Sequence, residues 1–167
     1  MSKIAGIYWD DTAAAPGISL SVYFSGCHFH CPGCHNPEAQ DFEYGEDFTP
    51  ELLREILTKL RKNGVERRLS ILGGEPLNKE NRKATYDLVS ICRKIYPKIK
   101  IYIWTGYTIE ELFEEQDDII NMIFKHIDCL IDGRFEQDKR DITLPLRGSS
   151  NQRIIYLNEG KNNEKRN

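Results

Sequence analysis

Arg68-Leu69-Ser70-Ile71-Leu72-Gly73-Gly74-Glu75-Pro76 reads as a short strand that stops on a glycine turn, and the fold follows from what surrounds it. The apolar, β-favouring run at 68–72 is closed by Gly-Gly and Pro, the usual breakers of a strand. A helix is expected next at about 80–96, because Ala84, Leu88, Ile91, Cys92 and Ile95 fall on one face at helical period. The same order recurs on both sides. Upstream, residues 18–24 read as a strand running into a cysteine-rich loop. Thr49-Pro50 then opens a helix as N-cap and first helical residue. Leu52, Leu53, Ile56, Leu57 and Leu60 supply its apolar face, and Gly64 its stop. Downstream, a strand at 99–104 ends at Thr105-Gly106-Tyr107, and Thr108-Ile109-Glu110-Glu111 forms a capping box for another helix. Residues 118–126 continue as helix, 129–131 form a short buried strand ending at Asp132-Gly133-Arg134, and 153–157 form a last strand. Strands alternating with helices predict an α/β domain with a mostly parallel sheet and right-handed crossovers. No short internal repeat is visible.

The chain has 167 residues, 40% hydrophobic and 29% charged, which suits one globular domain over 1–157 with a real core. The polar, charged stretch 158–167 is expected to be a disordered tail. A net charge of −3 gives no general electrostatic reason to expect nucleic acid, and no apolar run approaches the length of a membrane span. The first residues carry Lys3, Asp10 and Asp11 and do not look like a targeting segment. A cytoplasmic protein with reduced thiols is expected, since five cysteines is an odd count for a disulfide framework.

The chemistry centres on Cys27-His28-Phe29-His30-Cys31-Pro32-Gly33-Cys34. Zinc takes four thiolates, or three and a histidine, and His28, His30 or His35 could supply the fourth ligand. A cubane iron–sulfur cluster is the equal alternative. Such clusters are normally held by four cysteines, and the next one here is Cys92, far along the chain. Three thiolates would leave one iron open to a small molecule. The cysteine loop, Gly73-Gly74-Glu75-Pro76, Thr105-Gly106-Tyr107 and Asp132-Gly133-Arg134 each follow a predicted strand, so all should meet at one edge of the sheet. That edge is where ligands bind in α/β folds. The Gly-Gly pair could be a plain turn, or could bring backbone carbonyls close to a ligand's ammonium group.

Together the Cys-x3-Cys-x2-Cys loop and the Gly-Gly-Glu-Pro turn resemble the radical S-adenosylmethionine superfamily. That resemblance implies an incomplete βα barrel and a 4Fe-4S cluster held by Cys27, Cys31 and Cys34, its open iron chelating S-adenosylmethionine. It implies that Gly73, Gly74 and Glu75 hold the methionyl amino group. Thr105 and Asp132, at strand ends, would meet the ribose or the methionyl carboxylate; the alternative for each is a cap or turn residue. Many members place an aromatic residue before the last cysteine, against adenine. Here it is Gly33, and His35 is a neighbouring candidate for that region.

Cys31-Pro32-Gly33-Cys34-His35-Asn36-Pro37-Glu38 is similar to the glycyl-radical-enzyme activases. Ser25-Gly26-Cys27, Trp104-Thr105-Gly106-Tyr107 and Arg147-Gly148-Ser149-Ser150-Asn151-Gln152-Arg153-Ile154 resemble the subgroup acting on anaerobic ribonucleoside-triphosphate reductase. This implies a glycine loop of that reductase as substrate and a reductant such as flavodoxin or ferredoxin, and it makes residues 147–153, otherwise a plain loop into the last strand, a partner-facing or cofactor-shielding segment. No side chain need then act as general acid or base. Activases often carry Gly-Pro-Gly-x-Arg before the first strand; this chain reads Ala15-Pro16-Gly17-Ile18-Ser19, and only a turn is assigned there. His28 and His30 either tune the cluster or shape the loop. Cys92, Cys129 and His126 are expected to be structural. The competing readings are an activase of a formate-lyase type enzyme and a non-enzymatic zinc or electron-transfer module.

Overall fold

The computed structural model describes residues 1–157, so the expected disordered tail at 158–167 lies outside the described residues. In chain order the elements are β1 (Lys3–Asp11), β2 (Ser19–Phe24), β3 (Glu46–Asp47), α1 (Pro50–Leu60), β4 (Arg68–Gly73), α2 (Arg82–Ile95), β5 (Ile101–Trp104), α3 (Ile109–Glu114), α4 (Asp118–Phe124), β6 (Cys129–Asp132) and β7 (Arg153–Tyr156). They form one seven-stranded sheet in the order β3-β1-β2-β4-β5-β6-β7. β2, β4, β5 and β6 run parallel, each pair joined through helices. The sheet does not close, and its architecture is compatible with a partial barrel.

Alternation along the parallel strands divides the sheet into two different faces. Leu20, Val22, Phe24, Leu69, Ile71, Ile101, Ile103 and Leu130 point toward the helices. There they pack with Ile56 and Leu60 of α1, Leu88 and Cys92 of α2, Leu112 of α3 and Ile123 of α4. Each such fully buried aliphatic side chain contributes about 1.5–3 kcal/mol by leaving water. The intervening residues face the other way. Ser19, Ser21 and Ser70 are small, polar and buried, and Tyr102, Cys129 and Ile131 pack with Ala15 and with the half-buried Trp104, Leu146 and Ile154. All four helices therefore cover one face, and the opposite face lines an interior of small and aromatic side chains.

The helix starts follow the sequence reading. Thr49 caps α1 with its hydroxyl accepting from Leu52 N, and the Thr108–Glu111 capping box is complete. Their ends differ. α1 stops at Leu60, and Gly64 instead closes a 3-10 turn in the left-handed region. The helical stretch after Thr108 breaks in two at Gln116, whose φ is +51°. α2 begins at Arg82, because residues 76–81 are taken up by a turn organised by buried Asn78 and Asn81.

Two parts of the sheet depart from the expected pattern. β1 and β3 add an antiparallel edge that the βα reading lacks, so the cysteine loop follows the second strand of the chain, not the first. β1 is interrupted by irregularities at Ile4/Gly6 and Tyr8/Asp11, which blur its period-2 signal. β7 runs antiparallel to β6, since only a loop, without a crossover helix, connects them. No described helix is long and apolar enough to cross a membrane.

Candidate iron–sulfur and cofactor site

The strand ends do meet. β2, β4, β5 and β6 deliver their following loops to one sheet edge, around a cavity of about 270 Å³. Cys27, Cys31, Cys34, Gly73, Gly74, Glu75, Thr105 and His35 all line it. A second cavity of about 520 Å³ adjoins it, lined among others by Tyr8, Tyr23, Asp11 and Arg147. His35, Leu72, Trp104, Leu146 and Gly148 belong to both.

The cysteine loop is fastened at its base to the turn after β4. Gly26 O accepts from Glu75 N (2.8 Å) and from Asn78 Nδ2 (3.1 Å), while Asn81 Nδ2 donates to Ser25 O (2.8 Å). Gly26 N and Cys27 N donate to Ala39 O and Gln40 O at 2.8 and 3.1 Å. The glycines of the turn answer first to this packing. A Cβ on Gly74 would stand 2.5 Å from Ala39 O and 2.7 Å from Gly26 O, and one on Gly73, at φ +113°, 2.5 Å from Phe24 O. The close approach requiring glycine is thus between two stretches of this chain's own backbone.

Glu75 is the bracket of the site. Its carboxylate is buried and accepts from Leu77 N (2.9 Å), Thr105 Oγ1 (2.8 Å) and Gly106 N (2.7 Å), joining the turn after β4 to the turn after β5. Burial pushes its pKa up to about 7, against the pull of these donors. The Thr105 hydroxyl, donating to Glu75, also accepts from Tyr107 N at 3.2 Å.

Two of the expected contact residues, Asp132 and Gly33, do not line this cavity. Asp132 is 1% exposed, and its carboxylate accepts from Ile109 N (2.8 Å) and, through both oxygens, from Arg153 (2.6 and 3.0 Å). Gly33, at φ +73°, faces Gln137 and Phe135; a Cβ there would collide with Gln137 Oε1. The two histidines of the cysteine loop both have side-chain partners. His28 bonds Glu80 at 3.2 Å and lies 4.7 Å from the Phe42 ring, and His30 bonds Gln40 at 2.9 Å. Cys92 and Cys129 are fully buried core residues.

Phe135, Phe29, Trp104 and Leu146 also line the cavity, without having been assigned to it from sequence, and Gln152 does so from the 147–153 stretch that the resemblance marked as partner-facing or cofactor-shielding. Phe135 packs against His35, with ring centroids 5.0 Å apart. Its one signal was position: a large aromatic residue directly after the Asp132-Gly133-Arg134 strand end.

The donor set suits a soft-metal centre. Burial raises the Cys27 thiol to about 11, opposed by backbone N–H groups of Phe29 and His30 directed at its sulfur. Burial and the neighbouring Cys34 also raise Cys31. Metal binding would displace these protons, and the N–H groups at the Cys27 sulfur would then support a thiolate. Among the described residues no three His, Cys, Asp or Glu side chains are drawn together as ligands of a single ion. The three thiols all line the one cavity.

An open α/β sheet with a cysteine loop at the strand ends defines the class: the family described as 4Fe-4S single cluster domain matches residues 13–155. Between zinc and cluster, the match selects the cluster. Anaerobic ribonucleoside-triphosphate reductase-activating proteins are similar over nearly the whole chain. The Pasteurella multocida protein is 37% identical over 150 residues (89% of this chain, 93% of the relative). The Vibrio cholerae protein is 36% identical over 145 (86% and 91%), and the Salmonella typhi protein 34% over 151 (88% and 94%). The chain belongs to this activating-protein family.

Proposed function

We propose that this protein activates anaerobic ribonucleoside-triphosphate reductase as a radical S-adenosylmethionine enzyme. When held by Cys27, Cys31 and Cys34, a 4Fe-4S cluster would supply the one-electron reduction of S-adenosylmethionine through which a hydrogen atom would be removed from a glycine Cα of the reductase. Flavodoxin or ferredoxin is the class of reductant that fits. Cys27, Cys31 and Cys34 are the three cluster ligands. Gly73 and Gly74 offer carbonyls to the methionyl ammonium, while Glu75, its carboxylate committed, fixes their turn and Thr105 against each other. His35 would lie near the adenine and Thr105 near the ribose or the methionyl carboxylate. Asp132 and Gly33 act indirectly, Asp132 by tying the ends of β6, α3 and β7 together and Gly33 by letting the cysteine loop pack under Gln137. Catalysis rests on proximity and on exclusion of water, with no side chain acting as acid or base.

The observation that supports this reading best is the convergence of three cysteines, the glycine turn and Thr105 on one cavity. The test is anaerobic reconstitution with iron and sulfide, then dithionite and S-adenosylmethionine, with 5′-deoxyadenosine quantified beside a Cys31→Ala variant. Product from the wild type alone, and a glycyl radical on the reductase but not on a formate-lyase type enzyme, is the expected result. A fully loaded wild type that yields no product even with the reductase present would sink the proposal.

A further inference from the structure

The Arg147-Gly148-Ser149-Ser150-Asn151-Gln152 stretch has no residue-level role in the proposed function, yet it is densely hydrogen-bonded. Gln152 Oε1 accepts from Gly148 N (2.9 Å) and Ser149 N (3.1 Å), and its Nε2 donates to Gly133 O (2.9 Å). One side chain thus holds the strand-end turn just before Phe135 and the distant turn that packs on Phe135. A Cβ built on Gly148 would lie 3.1 Å from the Phe135 ring, so this backbone rests directly against it. Ser149, fully buried, accepts from Glu136 N at 3.1 Å, and Asn151 Nδ2 donates to Arg134 O at 2.8 Å. The residues on either side of Phe135 are therefore both bonded to this stretch. Loops between strands are ordinarily the mobile parts of a fold; this one is cross-tied into a fixed wall.

We infer that Gln152 is a positioning residue: it holds Phe135 as a rigid aromatic wall of the cysteine cavity, against which the nucleoside of S-adenosylmethionine lies. The inference rests on the cofactor reading above. It gives Phe135 the apolar contact that Gly33, facing Gln137, does not supply. A flat aromatic face held in advance spares the cofactor the entropy of ordering its own site.

The test uses cluster-loaded, unreduced protein and equilibrium dialysis with S-adenosylmethionine. Phe135→Ala and Gln152→Ala should each weaken binding on the order of tenfold. The double variant should bind no more weakly than Phe135→Ala alone, because Gln152 acts through that ring. Gln152→Glu keeps both accepted bonds but loses the donor to Gly133 O and sets a carboxylate oxygen against it, so it should weaken binding about as much as Gln152→Ala. Independently of any cofactor, amide exchange at Gly148 and Ser149 should accelerate in Gln152→Ala. If that variant does not fold, Gln152→Met, which keeps the volume and loses all the bonds, takes its place in each comparison. Additive losses in the double variant, wild-type affinity on loss of Gln152, or unchanged exchange would overturn the inference and leave the cofactor reading standing. A fully loaded wild type that binds no S-adenosylmethionine overturns both.

Discussion

Glu75 shows how much one residue in this site does for its neighbours. It is buried, and its carboxylate accepts from Leu77 N, Thr105 Oγ1 and Gly106 N, so it couples two loops that the sequence separates by some thirty residues. Glu75→Gln replaces one accepting oxygen with an amide donor facing another donor. A loss of about 1–3 kcal/mol is expected, read as a lower urea midpoint with unchanged slope. The residue itself was legible, as part of the Gly-Gly-Glu-Pro turn, but its partners were not. Nothing in the spacing of Glu75 and Thr105 says that their side chains bond, because that contact exists only once β4 and β5 are laid side by side. Asp132 illustrates the same limit. Its position at a strand end was visible, whereas its commitment to Arg153 depends on β7 pairing back onto β6.

At the scale of elements, local signals worked where the physics is local. The Thr108–Glu111 capping box satisfies backbone donors within four residues, and it is formed as read. Thr108→Ala should cost about 1 kcal/mol, seen in thermal denaturation. The start of α2, by contrast, is fixed from a distance. Arg82, 1% exposed, donates to Leu77 O (2.6 Å) and pairs with Glu115 (2.7 Å) and Asp117 (2.8 Å), pinning the turn after β4 to the α3–α4 junction. Arg82→Met would leave two carboxylates without their cation. Because both carboxylates are about a quarter exposed, water recovers part of the loss, and about 3 kcal/mol is expected from urea unfolding. The helix expected at about 80–96 includes Arg82 near its start, but periodicity could not distinguish a solvated arginine from a buried one.

For the whole molecule, the open sheet needs its last strand held. Arg153 of β7 pairs with Glu110 of α3 (2.6 Å) and with Asp132 at the end of β6 (2.6 Å). The Arg153 guanidinium pulls the Glu110 pKa down to about 2 from its ordinary 4.5. Between those values the unfolded chain binds the proton that the folded chain refuses, so stability rises with pH across this window. The Glu110 contribution is complete above about 4.5 and is lost as pH falls toward 2. Urea midpoints of wild type and Glu110→Gln should therefore differ at neutral pH and converge at the acid end. Equal midpoints at every pH would show that this exposed pair is too well screened to matter.

The sequence by itself determined the βα order of residues 18–132, the start of each helix on which a cap was read, the buried face of α1, Leu88 and Cys92 on that of α2 (Ile95, expected there too, is 50% exposed), and the set of strand-end clusters. These are readable because capping, helical period and turn chemistry act over a few residues of contiguous chain. Only the tertiary structure decided that β1 and β3 extend the sheet antiparallel, that Asp132 and Gly33 do not line the cavity, and that Phe135 and Gln152 do. Strand pairing, side-chain bonds between loops and the lining of a cavity are long-range contacts. They are set by which strands become neighbours, and no local pattern along the chain carries that information.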